Sequence, residues 1–395
     1  MRRAEYNNTK LYPHSEGRHG LNLMGCRNTI IEGLRIELTG GDGISVWKGH
    51  AFDVADPGDH GDDFCPPALA KDNAACACVN LLVRDVVCDR NYRQGMSVML
   101  AENLLVTNST FSNTAGTPPA AGLDIEPDHP NYRFVNVSFR GCSFLGNQGG
   151  GIDITTAKMN ATSPPISVRF EGTTIVGGAG AGGCGVTITG HMHPGENVKG
   201  ALSMRDTHIR DTPAAGVCVL SHPAVGSMWS ANFANLTLEN VATTWPTPPV
   251  PTTKNPTPCA ANAAPIVVGW FSHDVRPPWE PACWKNCTSC PCTRRIPIEP
   301  TGGLHIIGAT VRDSHARPFI SCGSPRFPNG TQYVDRMPEV VQNISFRGVV
   351  INSAKGANKS VCGGDLGPAR DSEFGNGYVG RGIVLGVDCH AAGQL

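Results

Sequence analysis

The hydrophobic and polar positions of this chain fall into two short patterns that alternate along its length. One reads glycine, apolar, polar, apolar, as in Gly95-Met-Ser-Val, Gly122-Leu-Asp-Ile and Gly151-Ile-Asp-Ile. Alternation with a period of two predicts a strand with one face buried and the other facing out. The second pattern is apolar-x-apolar-x-(Gly/Asp/Asn)-x-x-apolar. It occurs at 29–36, 81–88, 104–111, 137–144, 168–175, 202–209, 231–238, 304–311 and 344–351. Its fifth position is Gly33, Asp85, Asn108, Gly141, Gly172, Asp206, Asn235, Gly308 or Gly348. These residue types tolerate a left-handed backbone, so a bend between two short strands is predicted there.

The spacing ties the two patterns together. Seven positions lead from the last apolar residue of the bend motif to the next glycine in Ile36 to Gly43, Cys88 to Gly95, Phe144 to Gly151 and Ile209 to Gly216. A full period is 23 to 34 residues where no large insertion intervenes. Three short strands per period and no helical periodicity predict a parallel β-solenoid. The Leu-rich run of leucine-rich repeats is absent, and a propeller blade needs a longer period and four strands. The expected fold is all-β: a single-stranded right-handed parallel β-helix with loop insertions, its hand following the general preference of parallel crossovers.

One domain is expected over 1–395, with coils from about 19 to 351 and insertions at 48–77, 245–264, 272–300 and 352–380. The repeat resumes after each of the first three, which marks them as loops rather than domain boundaries. The first residues have a basic start but no apolar core of a signal peptide, and read as a truncated N-terminus.

The stretch HGLNLMGCRNTIIEGLRIELTGGDGISV (19–46), with RQGMSV, GLDIEP and GGIDI after it, resembles the right-handed parallel β-helix superfamily, the pectate-lyase-like fold. The resemblance implies the scaffold more than a chemistry, since many activities share it. The Asn-Thr-Asp, Gly-His-Gly and Arg-Ile-Lys set of the polygalacturonase branch is not found in register. The Gly-Phe-Asp-Pro-His element of alginate epimerases is echoed only faintly by Gly122-Leu-Asp-Ile-Glu-Pro-Asp-His129. No subfamily follows.

If equivalent glycines stack, Ser45, Ser97, Asp124, Asp153, Thr187 and Cys218 form one outward column, and Trp47, Met99, Glu126, Thr155, Thr189 and Leu220 a second. Asp124 and Asp153 then lie one coil apart, about 4.8 Å between backbones. Like charges so close repel unless a proton, a cation or a guanidinium offsets them. Arg90, Arg93 and Gln94, just before Gly95, are candidates for that role. Loops leaving these strands carry His50, His60, His129, Lys158, His191, His193, His222 and His273 toward the same edge. The candidate catalytic residues are therefore Asp124, Asp153, Glu126, His129, Arg93 and Lys158. Trp47, Arg90, Gln94, His191, His193 and His222 are candidates for substrate binding. The plainer alternatives are histidines of solvated turns and acids that bond neighbouring backbone.

Two carboxylates can hydrolyse a glycosidic bond, one as acid and the other as base or nucleophile. A uronate lyase or epimerase would instead neutralise a sugar carboxylate with Arg, Ca²⁺ or a protonated acid, and remove the C5 proton with His or Lys. Calcium is the one cofactor with candidate ligands. These are Asp124, Glu126 and Asp153, or the acidic insertion holding Asp53, Asp56, Asp59, His60, Asp62 and Asp63, with Asp59, Asp62 and Asp63 as the ligand set. The expected partner is a polysaccharide or oligosaccharide, acidic or otherwise charged, and the expected state a monomer. A non-catalytic glycan-binding or cell-surface β-helix is the alternative.

Composition narrows the setting. Charged residues make up 16% and the net charge is −1, with no basic run, which argues against a nucleic-acid partner. No apolar stretch approaches the roughly 18 residues of a membrane span. Sixteen cysteines and sequons at Asn7, Asn108, Asn136, Asn160, Asn235, Asn286, Asn329, Asn343 and Asn358 predict a secreted, disulfide-bonded glycoprotein. The run Cys283, Cys287, Cys290, Cys292 has zinc-like density but fits disulfides better in that setting, while Cys88 and Cys142 fall on inward positions.

Overall fold

The computed structural model describes residues 11, 17–49, 77–156, 158–178, 183–189, 198–220, 228–243, 264–269, 303–315, 320–322, 344–353 and 387–389. Among them there is no helix, and every strand pairing is parallel. The first face is a nine-stranded sheet: Leu21–Met24, Ile44–Trp47, Met96–Val98, Leu123–Ile125, Ile152–Thr155, Val186–Thr189, Val217–Leu220, Ile266–Gly269 and Ile320–Cys322. Each strand is bonded to its equivalent one coil on, so the chain is a parallel β-helix. The second and third faces belong to one larger sheet. In the early coils they are separate strands, such as Phe134–Arg140 and Ser143–Leu145. From Lys199–Arg210 onward one continuous strand supplies both.

The predicted bend is present in all nine copies: Gly33, Asp85, Asn108, Gly141, Gly172, Asp206, Asn235, Gly308 and Gly348 each have a φ between 47° and 67°. Two further columns of left-handed residues mark the other corners. One is Leu38, Arg90, Asn113, Gly146, Gly177, Asp211 and Asn240, between the third face and the next coil's first face. The other is Asn28, Asn80, Asn103 and Asn136, ahead of the second face. Those four asparagines form a ladder. The Asn80 amide donates to Asn28, Asn103 to Asn80 and Asn136 to Asn103, at 2.8, 3.0 and 2.9 Å.

Inside, equivalent apolar residues stack coil upon coil. Ile44, Val46, Met96, Val98, Leu123, Ile125, Ile152 and Ile154 all point into the core. Phe139 stacks on Phe170 with ring centroids 4.8 Å apart, and Phe111 on Phe144 at 5.4 Å. The rung spacing of about 4.8 Å is also a favourable ring-to-ring distance, so planar side chains repeat without cost. The glycine of the first-face pattern is a close-packing residue. A Cβ on Gly95 would lie 2.6 Å from the Gly122 carbonyl oxygen and 2.7 Å from Phe111 Cβ. Cys88 and Cys142 are buried thiols, as their inward positions predict, and burial pushes the Cys142 thiol up to about 11.

Several boundaries differ from the sequence reading. The last long strand runs to Ser353, overlapping the insertion placed at 352–380, because Asn352 and Ser353 still pair with Arg312 and Asp313. A further strand, Val387–Cys389, pairs with it, so coil pairing continues beyond 351. Leu34, directly after the Gly33 bend, is 43% exposed although apolar. The bulk of each predicted insertion, with His50, His60, His191, His193, His222, His273, the acidic Asp53–Asp63 stretch and the Cys283–Cys292 run, lies outside the described residues. Among the described residues no helix is long and apolar enough to cross a membrane.

The asparagine ladder yields a stability test. Asn103 donates to one neighbour, accepts from the other and holds φ 56°. Asn103→Ala removes both bonds and strains the corner, and is expected to cost about 2 kcal/mol. Asn103→Gly, which keeps only the backbone freedom, is expected to cost about half as much. Urea unfolding of the two variants checks the order.

Candidate functional site

The outward column forms as the spacing predicts. On the first face Ser45 pairs with Ser97, Ser97 with Asp124, Asp124 with Asp153 and Asp153 with Thr187. Facing outward does not leave the column exposed, however. Ser45 and Ser97 are fully buried and Asp124 is 2% exposed, whereas Asp153 and Glu126 keep partial exposure. The shared exposed patch expected of the three acids is thus reduced to Asp153 and Glu126, with Asp124 beneath.

The cover is polar and comes from the segments that lead into each strand. Asp42, fully buried, accepts the Ser97 hydroxyl at 2.7 Å, the Gln94 backbone N–H at 3.2 Å and an Arg93 Nη1–H at 3.4 Å. His19 Nδ1 lies 3.2 Å from the same carboxylate and accepts the Asp42 backbone N–H. Gln94, also fully buried, donates from Nε2 to Asp124 Oδ2 at 2.8 Å. Arg93 and Gln94 therefore divide between the two buried carboxyls. Gln94 makes the contact with Asp124, and Arg93 is committed to Asp42. Ser45 Oγ, Arg93 Nε and Gln94 Oε1 are buried without a hydrogen-bond partner among the described residues, where buried polar atoms are usually paired.

His19 and Asp42 were missed by the sequence reading. The signal was present: Asp42 stands immediately before Gly43 as Gln94 stands before Gly95. The Gly43 N–H donates to the Gln94 carbonyl, so the two positions are one column. Extending the register one residue ahead of each glycine would have found them.

Electrostatics follow from this burial. The Asp124 carboxyl is held well above the usual range, first by burial and then by the charges of Asp153 and Glu126. The Gln94 hydrogen bond and the Arg93 charge oppose those effects. Asp153 is pushed up to about 7, again first by burial and then by Glu126. A carboxyl pair on adjacent rungs resolves its repulsion by retaining a proton, so at neutral pH the site holds acid as well as carboxylate.

Other candidates sit elsewhere. Arg90, expected beside the acids, is turned to the neighbouring corner, where it pairs with Asp89 at 3.0 Å and Glu37 at 3.7 Å. Trp47 is partly buried against a satellite apolar cluster of Ala77, Met99, Leu100 and Tyr132, so packing accounts for much of its surface. His129 lies in the loop after the Asp124 strand, its Nδ1 accepting the Asn131 N–H and its ring 6.1 Å from that of Tyr132. Lys158 is exposed just after the Asp153 strand. Among the described residues no three His, Cys, Asp or Glu side chains group so as to hold a metal ion. Asp59, Asp62 and Asp63 lie outside the described residues. Farther along, the outward column turns apolar: Cys218 is bonded to Cys184 and packs with Ala214, Ala215 and Val267.

The raised carboxyls have a consequence for stability. A carboxyl held high in the fold stabilises it fully below the unfolded value of about 4. That contribution is lost as pH rises through the folded value, about 7 for Asp153. The melting temperature is therefore expected to fall between pH 5 and pH 8. Asp124→Asn, which removes one member of the repelling pair, is expected to flatten much of that slope. Thermal unfolding across this range checks both.

No protein family and no curated protein matches the chain. Among solved structures it is similar to the A-module of the Azotobacter vinelandii mannuronan C-5 epimerase AlgE6 (14% identity, TM-score 0.43, covering 83% of this chain and 60% of that one). It is also similar to the catalytic unit of a GH87 α-1,3-glucanase from Streptomyces thermodiastaticus (15% identity, TM-score 0.39, covering 70% and 41%). A third is the tailspike protein gp49 of the Acinetobacter baumannii bacteriophage Fri1, a capsular polysaccharide depolymerase (12% identity, TM-score 0.34, covering 80% and 45%). The chain thus spans between 41% and 60% of the length of these three structures.

Proposed function

We propose that this chain is an extracellular glycan-active enzyme that hydrolyses a glycosidic bond on the outer side of its first face. The reading is carried by one observation: two partly exposed acids, Asp153 and Glu126, on adjacent coils of the first face, with burial and the Glu126 charge pushing the Asp153 carboxyl up to about 7. General acid catalysis works best when the acid's own value lies near the working pH. In this reading Asp153 protonates the leaving oxygen. Glu126 stands two positions beyond Asp124, the in-register partner of Asp153, so it is the diagonal neighbour. Glu126 would then serve as the base or the nucleophile. Asp124, buried on Gln94, lies beside Asp153 as its in-register neighbour, and burial with the Glu126 charge is what keeps the proton on Asp153. The Cys184–Cys218 disulfide supports an oxidising, secretory setting.

A second reading rests on the same protonated carboxyls. A uronate lyase or epimerase needs a neutral acid to offset the sugar carboxylate, and then His129 or Lys158 at the adjacent edge would take the C5 proton. Product chemistry separates the readings on a panel of neutral and uronate-containing polysaccharides. New reducing ends are expected from the hydrolase. Unsaturated or epimerised uronates mark the second reading, and binding without turnover marks a non-catalytic module. Asp153→Asn and Glu126→Gln are each expected to lower turnover about 10²–10⁴-fold with an unchanged circular-dichroism spectrum. Wild-type rates in both would remove the acid pair from the mechanism.

A further inference from the structure

We propose that Asp42 is a positioning residue of the acid site, holding Arg93 and Gln94 so that the Gln94 amide, and not the Arg93 guanidinium, is what Asp124 meets. The proposal deepens the reading of Asp124 and Asp153 as the reacting site and rests on it for its catalytic meaning. Its structural content stands alone.

A buried guanidinium near a buried carboxylate ordinarily forms the pair itself, because each desolvated charge is costly without the other. Arg93 is 5% exposed and its charge acts on Asp124, yet its hydrogen bond goes to Asp42. Asp42 wins because it is satisfied from several directions. Ser97 Oγ and Arg93 Nη1 donate to Oδ2, and the Gln94 backbone N–H donates to Oδ1. That last bond fixes the residue whose side chain reaches Asp124. One buried carboxylate thus absorbs the cation and aims the neutral donor. Arg93 Nε carries a further N–H with no partner among the described residues, so the guanidinium has a donor left for Asp124 once Asp42 lets go.

Gln94 and Arg93 come from the segment before Gly95, and Ser97 from the neighbouring strand. Asp153 lies on the next coil and Glu126 beyond Asp124 on its own. Asp42 and His19 come from the segments leading into the first two strands. As the site stands, the Arg93 charge already lowers the Asp124 value somewhat, while its hydrogen bond to Asp42 keeps the guanidinium from pairing with Asp124 directly. With Asp42 neutral, an uncompensated cation faces the pair and favours its ionised form, an effect of about 1–3 pH units for an opposite charge at close range.

The test is a titration of the ligand-free full-length protein labelled with ¹³C at the aspartate carboxyls. The wild-type Asp124 resonance should move with a midpoint well above the ordinary carboxylate range. In Asp42→Asn the midpoint is expected to fall by about 1 unit or more. In the double variant Asp42→Asn with Arg93→Gln the fall should vanish, because the released cation is gone. A midpoint unmoved in Asp42→Asn, or one that falls equally in the double variant, overturns the proposal. Should Asp42→Asn not fold, Arg93→Gln alone decides. It leaves the Asp42 charge uncompensated and must raise the midpoint, and an unchanged or lowered value is fatal. No substrate is needed, so absence of turnover on every glycan would defeat the enzyme reading without touching this result. Where turnover is found, Asp42→Asn should lower kcat more than it alters KM, and shift the pH profile in the direction of the titration.

Discussion

In a parallel coil every residue lies about 4.8 Å from its own equivalent, so each column must be compatible with itself. That constraint governs this molecule. Apolar columns satisfy it by packing, phenylalanines by stacking, and asparagines by passing one amide hydrogen bond to the next. Glycines satisfy it by having nothing to collide. A column of aspartates cannot satisfy it in the charged state, and Asp124 and Asp153 are therefore the place where the repeat is strained.

The strain is contained rather than relieved. The usual remedy, a buried arginine, is close at hand, but Asp42 occupies it and Gln94 is interposed. What remains for the two carboxyls is a proton. Burial then does double duty, disfavouring charge on Asp124 and lifting Asp153 into the physiological range. The same column becomes inert farther along, where Thr187 and the bonded Cys218 replace the acids. The acidic chemistry is confined to a few coils of an otherwise uniform scaffold.

Most of the scaffold was legible in the sequence because its signals are periodic. The bend positions from Gly33 to Gly348 and the alignment of Asp124 with Asp153 follow from spacing alone. The other two corners were harder to see. Asn80, Asn103 and Asn136 are spaced by unequal coils, and Leu38 and Arg90 carry no residue-type signature for a left-handed turn. The site was legible only in part. Register fixes which column a side chain joins, but not whether a neighbouring segment folds over it, so Asp124 looked exposed and Asp42 went unnoticed. Arg90 and Arg93 are three residues apart and chemically alike. Only the turn between them sends one to Glu37 and the other to Asp42.

The placement of extra chain has its own meaning. Long stretches of sequence separate first-face strands from the strands that follow them, after Trp47, Thr189, Leu220, Gly269 and Cys322. That is the corner adjoining Glu126, His129 and Lys158. Length can change there without shifting a single rung, since both ends of each excursion are pinned by the ladders. A lineage could therefore diversify what approaches the acids by insertion and deletion alone, leaving the hydrogen-bonded frame and its proton-holding pair untouched.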